Sequence, residues 1–346
     1  MVTLKDIALE ANMSISTVSR IIRGDKKRPA SKKTTERVLR IAQEMGYVPN
    51  ENAINLKCNI NSNLKRIGCI YASSRDVMKE PFFSKLTVGI NEELDRLGYT
   101  MGFSLCIYEM SFDEIRRIVI KERVDGIILM GRVNKVTLDF FKRNYHNLVY
   151  AGVNDLGEDI DEVICDAKAG VKSMTNYIIE LGHKRIGYIG DGIECNRDVM
   201  VNEHRYNSFM EEMEKHGLEV DKNQIIGVKP YLEEAYEMIV EHLETRGLDE
   251  LATAYICIND NTAIAAIRAI NDKGYKVPED ISVVGFDDIE VSKFLNPSLT
   301  TVRVDQLALG QMAVKMLIEK ITTKREYSVK LNLPSELVLR ESCKTI

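Results

Sequence analysis

From Arg66 onward the chain repeats one pattern. A short continuous apolar run is followed by an amphipathic stretch at helical spacing, and then by another apolar run. The runs are IGCIYA (67–72), TMGFSLC (100–106), DGIILMG (125–131), LVYAG (148–152), RIGYIG (185–190), IIGV (225–228), TAYICI (253–258), ISVVGF (281–286) and TTVRV (300–304). Helices are expected over 82–97, 111–122, 134–144, 167–181, 203–216, 231–246, 260–273 and 305–321, with a last strand over 335–340. Strands without a polar face must be covered on both sides, so this alternation implies parallel sheets sandwiched by helices. There are too many strands for one comfortable sheet, and two doubly wound subdomains are expected. Ligands of such folds sit beyond the carboxyl ends of the strands, so residues just after each run are the first candidates for a site.

The first 48 residues follow a different rule. Leu4, Ile7, Ala8 and Ala11 mark one buried helix face. Thr3 and Asp6 fit a capping box before it, and Asn12 suits the sharp turn after it. Ser14 is placed to cap a second helix, Ser16 to Ile22, with Val18, Ile21 and Ile22 inward and Ile15, Ser16, Thr17, Ser19 and Arg20 outward. Two short helices joined by a tight turn, the second polar and cationic outside, describe a helix-turn-helix whose second helix can enter a DNA major groove. After a basic loop (Lys26, Lys27, Arg28), Ser31 caps a third helix with Val38, Ile41, Ala42 and Met45 inward, and Gly46 ends it. Residues 49–65 are polar and Asn-rich, and read as a linker holding at most one short, weak helix.

Charge follows the same division. Residues 1–66 hold 13 Lys/Arg against 6 Asp/Glu, while the whole chain carries a net charge of -5. A basic head on an acidic body suggests that only the head meets a polyanion. No apolar stretch is long enough to span a bilayer, and no basic segment leading into an apolar one opens the chain. The seven scattered cysteines form no CxxC pair, which fits reduced thiols and a cytoplasmic location. Metal and cofactor chemistry finds no support. No His/Cys cluster has ligand spacing, no GxSxG is present, and a GxGxxG read from Gly190 fails at Cys195. His183, after Gly182, reads as a cap contact at a helix end rather than a base. The chain is not expected to be an enzyme.

VTLKDIALEANMSISTVSRII (2–22) and YVPN-x-x-A-x-x-L (47–56) resemble the lactose/galactose repressor family (LacI/GalR). So do ELGHKRIGYIGD (180–191), HRYNSF (204–209), AYICINDNTAIAAIRAI (254–270), VPEDISVVGFDD (277–288) and NPSLTTVRVD (296–305), collinearly. The resemblance implies a small all-α helix-turn-helix headpiece (1–48), a hinge linker with a hinge helix (49–65), and a periplasmic-binding-protein-like α/β core (66–346). The core would divide into one subdomain of about 66–165 and 304–330 and another of about 166–303 and 331–346. It implies a homodimer on a near-palindromic double-stranded operator; without a heptad tail like that of the tetrameric lactose repressor, a dimer is expected.

The resemblance also assigns roles. Ile15, Ser16 and Arg20 would read base edges, with Thr17 and Ser19 nearer phosphates and Thr3, Ser14 and Asn50 beside them. Arg suits the paired acceptors of guanine and Ile a thymine methyl. Leu56, with Ala53 beside it, would wedge into the minor groove, and Lys57 would face groove or phosphate. In the cleft, Arg205, Asn259 and Asp287 would hold a small effector, with Phe209 as an apolar face and Ser73, Ser74 and Phe83 contributing from the first subdomain. Asp260 and Asp288 are expected to cap helices. Arg197 and Asn202, in the long loop 191–203, compete with Arg205, and Ser208 stands where many members have Gly. The implied function is a repressor of carbohydrate-utilisation genes controlled by a sugar or sugar phosphate. A regulator with a purine or phosphoprotein corepressor is the alternative. A sugar-binding transport protein is more distant, since it would need a signal peptide and no basic headpiece.

Overall fold

In the computed structural model, which describes residues 3–22, 30–45, 65–72, 80–107, 110–131, 133–191, 204–229 and 231–346, the chain forms two units, Met1–Asn63 and Leu64–Ile346. In the first unit the capping box is present. Thr3 Oγ1 accepts from the Asp6 amide at 3.4 Å and the Asp6 carboxylate accepts from the Thr3 amide at 2.7 Å, opening α1 (Leu4–Glu10). Asn12 makes the turn at φ 52°, a left-handed conformation that Asn tolerates better than most residues. Ser14 Oγ accepts from the Thr17 amide at 3.2 Å, so α2 (Ile15–Ile22) starts one residue earlier than the sequence suggests. Ser31 does the same for Thr34 at 3.1 Å and opens α3 (Lys32–Glu44). Ile7, Ala8, Ala11, Val18, Ile21, Val38, Ile41 and Ala42 bury into one cluster, the inner faces expected from periodicity.

The second unit runs β1 (Arg66–Ala72), α4 (Pro81–Leu97), β2 (Thr100–Cys106), α5 (Phe112–Lys121), β3 (Gly126–Gly131), α6 (Lys135–Asn144), β4 (Leu148–Gly152) and β5 (Asp161–Cys165). It continues with α7 (Ala167–Glu180), β6 (Ile186–Gly190), α8 (His204–Lys215), β7 (Ile225–Gly227), α9 (Leu232–Glu244), β8 (Ala254–Cys257) and α10 (Asp260–Asp272). It closes with β9 (Ser282–Asp287), β10 (Thr300–Arg303), α11 (Gln306–Thr323), β11 (Lys330–Leu333) and β12 (Glu336–Val338).

Two six-stranded sheets result. The first, in the order β11-β5-β4-β3-β1-β2, is parallel throughout. The second, β12-β10-β9-β8-β6-β7, is parallel except where β12 pairs antiparallel with β10. The chain passes between them three times, after β5, after β10 and after β11. Helix α11 lies on the first sheet and packs closely along α4. A Cβ on Gly310 would collide with the Leu86 carbonyl, so the two helix backbones meet directly.

Strand β5 departs from the sequence expectation, which placed no strand between 152 and 167. Its first two residues are acids, a poor strand signal, yet Asp161 is 0 % and Glu162 2 % exposed. Asp161 is fully paired. Arg325 grips both carboxylate oxygens at 2.9 Å, Lys320 approaches to 3.2 Å, and the Val329 amide donates at 2.7 Å. Glu162 accepts from the Leu156 amide at 3.0 Å and faces Lys330 at 3.6 Å. The last strand is also shorter than the expected 335–340.

Cys69, Cys165 and Cys257 are free and buried, and burial pushes the thiols of Cys69 and Cys165 up to about 12. Among the described residues no helix is long and apolar enough to cross a membrane.

Candidate functional site

The outer face of α2 is built by subtraction: Val18 and Ile21 are buried, which turns the remaining side chains outward. Ile15 is 49 % exposed, Thr3, Ser14 and Ser16 are exposed, and Thr17, Ser19 and Arg20 are half-buried. The Ser14 hydroxyl lies 3.0 Å from Ser16 Oγ and 2.8 Å from Thr17 Oγ1. The face combines one apolar tip, a row of hydroxyls and one guanidinium. That is the chemistry a groove-reading helix needs: methyl contact, phosphate hydrogen bonds and a donor fork for a base edge. Asn50, Ala53, Leu56 and Lys57 lie outside the described residues, as do Ser73, Ser74, Arg197 and Asn202.

In the core, the carboxyl ends of β8 and β9 converge on Arg205. This residue sits in the first turn of α8 and is only 6 % exposed. Its Nη1 donates to the Ile258 carbonyl at 2.8 Å, directly after β8, and its guanidinium lies 5.6 Å from the centre of the Phe286 ring. Asp287, the last residue of β9, faces it and is 5 % exposed. Burial pushes the Asp287 carboxyl well up, Asp260 adds to the rise, and Arg205 opposes it. Asp287 Oδ1 has no hydrogen-bond partner among the described residues. Its backbone has φ 115°, far outside ordinary L-residue geometry, and strain of this kind clusters at functional sites. Arg205 and Asp287 are thus brought together.

Four neighbours differ from expectation. Asn259 spends its side-chain oxygen as the N-cap of α10, accepting from the Thr262 amide at 2.9 Å and hydroxyl at 2.7 Å. Asp260 is not a cap. Fully buried, it ties the loop after β9 to the sheet by accepting from the Ile289 amide (2.9 Å), Ser292 Oγ (2.6 Å) and Thr301 Oγ1 (2.5 Å). Asp288 caps nothing either. It pairs with Arg303 at 2.8 Å and Arg340 at 2.5 Å, and although burial raises its carboxyl these two arginines hold it below the usual range. Phe209 is 0 % exposed and stacks on Tyr188 at 5.5 Å, so it supports the floor instead of offering a free face. Phe83 is half-buried against Phe82. Away from the cleft, His183 is a buried polar knot, bridging Thr253 (2.8 Å), Ser282 (3.2 Å) and the Lys344 carbonyl (3.0 Å), with burial lowering its pKa.

Three contacts across the two subdomains had no motif to announce them. Gln306, at the start of α11 on the first sheet, donates its Nε2 to the Asp287 carbonyl at 2.6 Å. Glu80, before α4, accepts from Asn261 of α10 at 2.8 Å. Asp155, after β4, meets His204 of α8 at 3.0 Å and also pairs with Lys330. The only sequence signal was position, since each residue lies next to an element start or end.

A helix-turn-helix unit is followed by an α/β core of two subdomains, the architecture of a DNA-binding regulator. Residues 3–50 match the family described as bacterial regulatory proteins, lacI family, and residues 175–343 match the periplasmic binding protein-like domain. The HTH-type transcriptional repressor PurR of Pasteurella multocida (strain Pm70) is 34 % identical over 352 residues, covering 100 % of this chain and 99 % of that protein. The repressor of the same name from Haemophilus influenzae (strain PittEE) is 33 % identical over 356 residues, with both chains covered at 100 %. Among solved structures, a transcriptional regulator CelR–cellobiose complex aligns with TM-score 0.73 and 25 % identity, covering 99 % of this chain and 100 % of that one. The lac repressor dimer bound to operator and the anti-inducer ONPF aligns with TM-score 0.70, 23 % identity and 99 % of each chain, a likeness of fold. The chain belongs to the lacI family and is a DNA-binding transcriptional regulator.

Proposed function

We propose that this protein is a cytoplasmic, homodimeric transcriptional repressor without enzymatic activity, and that a purine base in the core cleft acts as its corepressor. The observation that carries this reading is the end-to-end similarity to repressors named PurR, which favours the purine alternative over the sugar or sugar phosphate first expected. The site chemistry is compatible: Arg205 offers a donor fork for a ring carbonyl, and Asp287 offers an acceptor for a ring N–H. On DNA, the exposed face of α2 takes the major groove of each operator half, with Leu56 and Ala53 of the hinge at the centre.

Control works through the contacts between subdomains. Gln306 on Asp287, Asn261 on Glu80 and His204 on Asp155 hold one relative setting of the two sheets. A ligand that binds this setting better than its alternative shifts the population by its differential affinity, and DNA affinity follows with it.

The test is fluorescence anisotropy of a labelled near-palindromic operator with full-length protein. Hypoxanthine or guanine should tighten operator binding at least tenfold, and affinity should fall steeply with salt. The 25 % identical CelR–cellobiose complex supports a second reading, a sugar effector. Response to cellobiose and not to purines would establish that one instead, and a flat salt response would remove the DNA role assigned to α2.

A further inference from the structure

The chain enters the core at Lys65, directly before β1, and the neighbouring strand starts of the first sheet are bonded to it as one edge. The Thr100 amide donates to the Lys65 carbonyl, the Asp125 amide to the Arg66 carbonyl, and Asn147 Nδ2 to the Asp125 carbonyl, each at 2.8 Å. The helix ends and turns that lead into the strands of this sheet expose six cations, Lys65, Arg96, Lys121, Arg123, Arg143 and Lys324. Against them stand three exposed acids, Asp95, Asp159 and Glu326. Among the described residues no ion pair holds Lys121, Arg123, Arg143 or Lys324. Helix carboxyl ends favour cations through their dipoles, which offers one explanation. The second subdomain tests it, because its helices end at the same edge of a parallel sheet. There the helix ends and turns leading into β6, β7, β8 and β9 expose ten acids against five cations. The same backbone geometry carries the opposite charge balance, so helix dipoles do not account for the cationic edge.

We infer that this amino-end edge of the first sheet is a second DNA-contacting surface, which takes the phosphate backbone of the duplex held by the headpiece and reads no sequence. The inference rests on the DNA role assigned to α2 above and adds a separate surface to it. Two observations favour a polyanion on this edge: its charge, and its continuity with the linker that carries the headpiece. The chain as a whole has a net charge of -5, so most of its surface repels DNA, and a cationic edge decides which end of the core tolerates the duplex. The starts of β2, β1, β3 and β4 lie side by side over about 15 Å, a length on which a duplex carries about nine phosphate charges. Lysine and arginine on exposed turns suit such contacts, which position a protein on DNA without specifying bases. Once the headpiece is bound, the linker makes the core contact intramolecular, at an effective concentration in the millimolar range, so individually weak contacts add to affinity.

The experiment is a salt titration of operator binding with full-length protein, on a near-palindromic duplex extended by about one helical turn, 10 base pairs, on each side. Wild type is compared with two variants of equal charge change. One combines Lys121→Gln, Arg123→Gln and Arg143→Gln on the first edge. The other combines Lys184→Gln, Arg185→Gln and Lys222→Gln on the matching edge of the second subdomain. All six side chains are exposed. The first variant should bind roughly tenfold more weakly at low salt, and its plot of log affinity against log salt should be shallower by about two to three. It should weaken a scrambled duplex by the same factor, because phosphate contacts carry no sequence information. The second variant should match wild type. A slope unmoved in the first variant, an equal flattening in the second, or a loss confined to the operator sequence would overturn the proposal and leave the role of α2 standing. Absence of operator binding by wild type would remove both.

Discussion

Asp161 and Asp287 are the same chemical group in two subdomains of one topology, and they are treated in opposite ways. Asp161 stands at the amino end of β5, 0 % exposed, with Arg325, Lys320 and the Val329 amide around it. Burial raises its carboxyl, but these partners hold it below the ordinary range. Asp287 stands at the carboxyl end of β9, nearly as buried, with Arg205 in front and one oxygen unpartnered. Its carboxyl is driven up, not down. A saturated carboxylate at the amino end of a strand is a structural joint. An unsaturated one at the carboxyl end of a strand stands where doubly wound sheets bind their ligands.

The sharpest break of this comparison is Asp161→Asn. The isosteric amide leaves Arg325 and Lys320 buried beside a neutral group, and removing one partner of a buried pair typically destabilises by about 3–5 kcal/mol. Urea unfolding of the core should show a loss of that size. A loss under about 1 kcal/mol would mean that the cluster is not the joint described.

Acidity tests the same contrast with a smaller effect. Asp155, paired with Lys330 and His204, has its carboxyl lowered to about 2 despite burial, so its contribution is present above about pH 4 and lost as the pH falls toward 2. Asp260 runs the other way. Burial raises it to about 7, its three donors notwithstanding. Between about pH 4 and 7 the unfolded carboxyl ionises first, the folded state holds more protons, and stability declines as the pH rises, by a few kcal/mol at most. The urea midpoint should therefore peak near about pH 4 to 5. Asp260→Asn should flatten the decline toward neutrality, and Asp155→Asn should soften the acid limb. A wild-type midpoint that rises steadily from about pH 4 to 7 contradicts the assignment of Asp260.

What the sequence made legible divides along the same line. Periodicity exposed the headpiece core residue by residue, because Ile7, Val18 and Val38 are apolar where a helix turns inward. It exposed the continuous apolar strands for the same reason. It missed β5, whose leading acids are buried only because basic groups far along the chain, Arg325 and Lys320 foremost, neutralise them. Asp287 and Arg205 were reachable through resemblance and through their place at strand and helix ends. Gln306 was not, since nothing in Val304-Asp305-Gln306 says that the glutamine reaches the other subdomain. Asn259, Asp260 and Asp288 share a polar, strand-end signature with Asp287, and only their partners tell capping from bracing.

Asp287→Asn gives the smallest expected change in stability and the cleanest view of the contrast. The substitution removes a buried, mostly uncompensated carboxyl without changing its volume, so the core should keep its stability to within about 1 kcal/mol, or gain slightly. The same substitution at Asp161 should be several times more damaging. Ligand response should reverse that ranking. An asparagine amide cannot ionise when a ring N–H approaches beside Arg205, so purine tightening of operator binding should fall tenfold or more in Asp287→Asn. Where it still folds, Asp161→Asn should retain that response. Comparing unfolding midpoints with anisotropy titrations on the two variants reads both quantities at once. A large loss of stability in Asp287→Asn with ligand response intact would make Asp287 a second joint, and the distinction between the two carboxylates would fall.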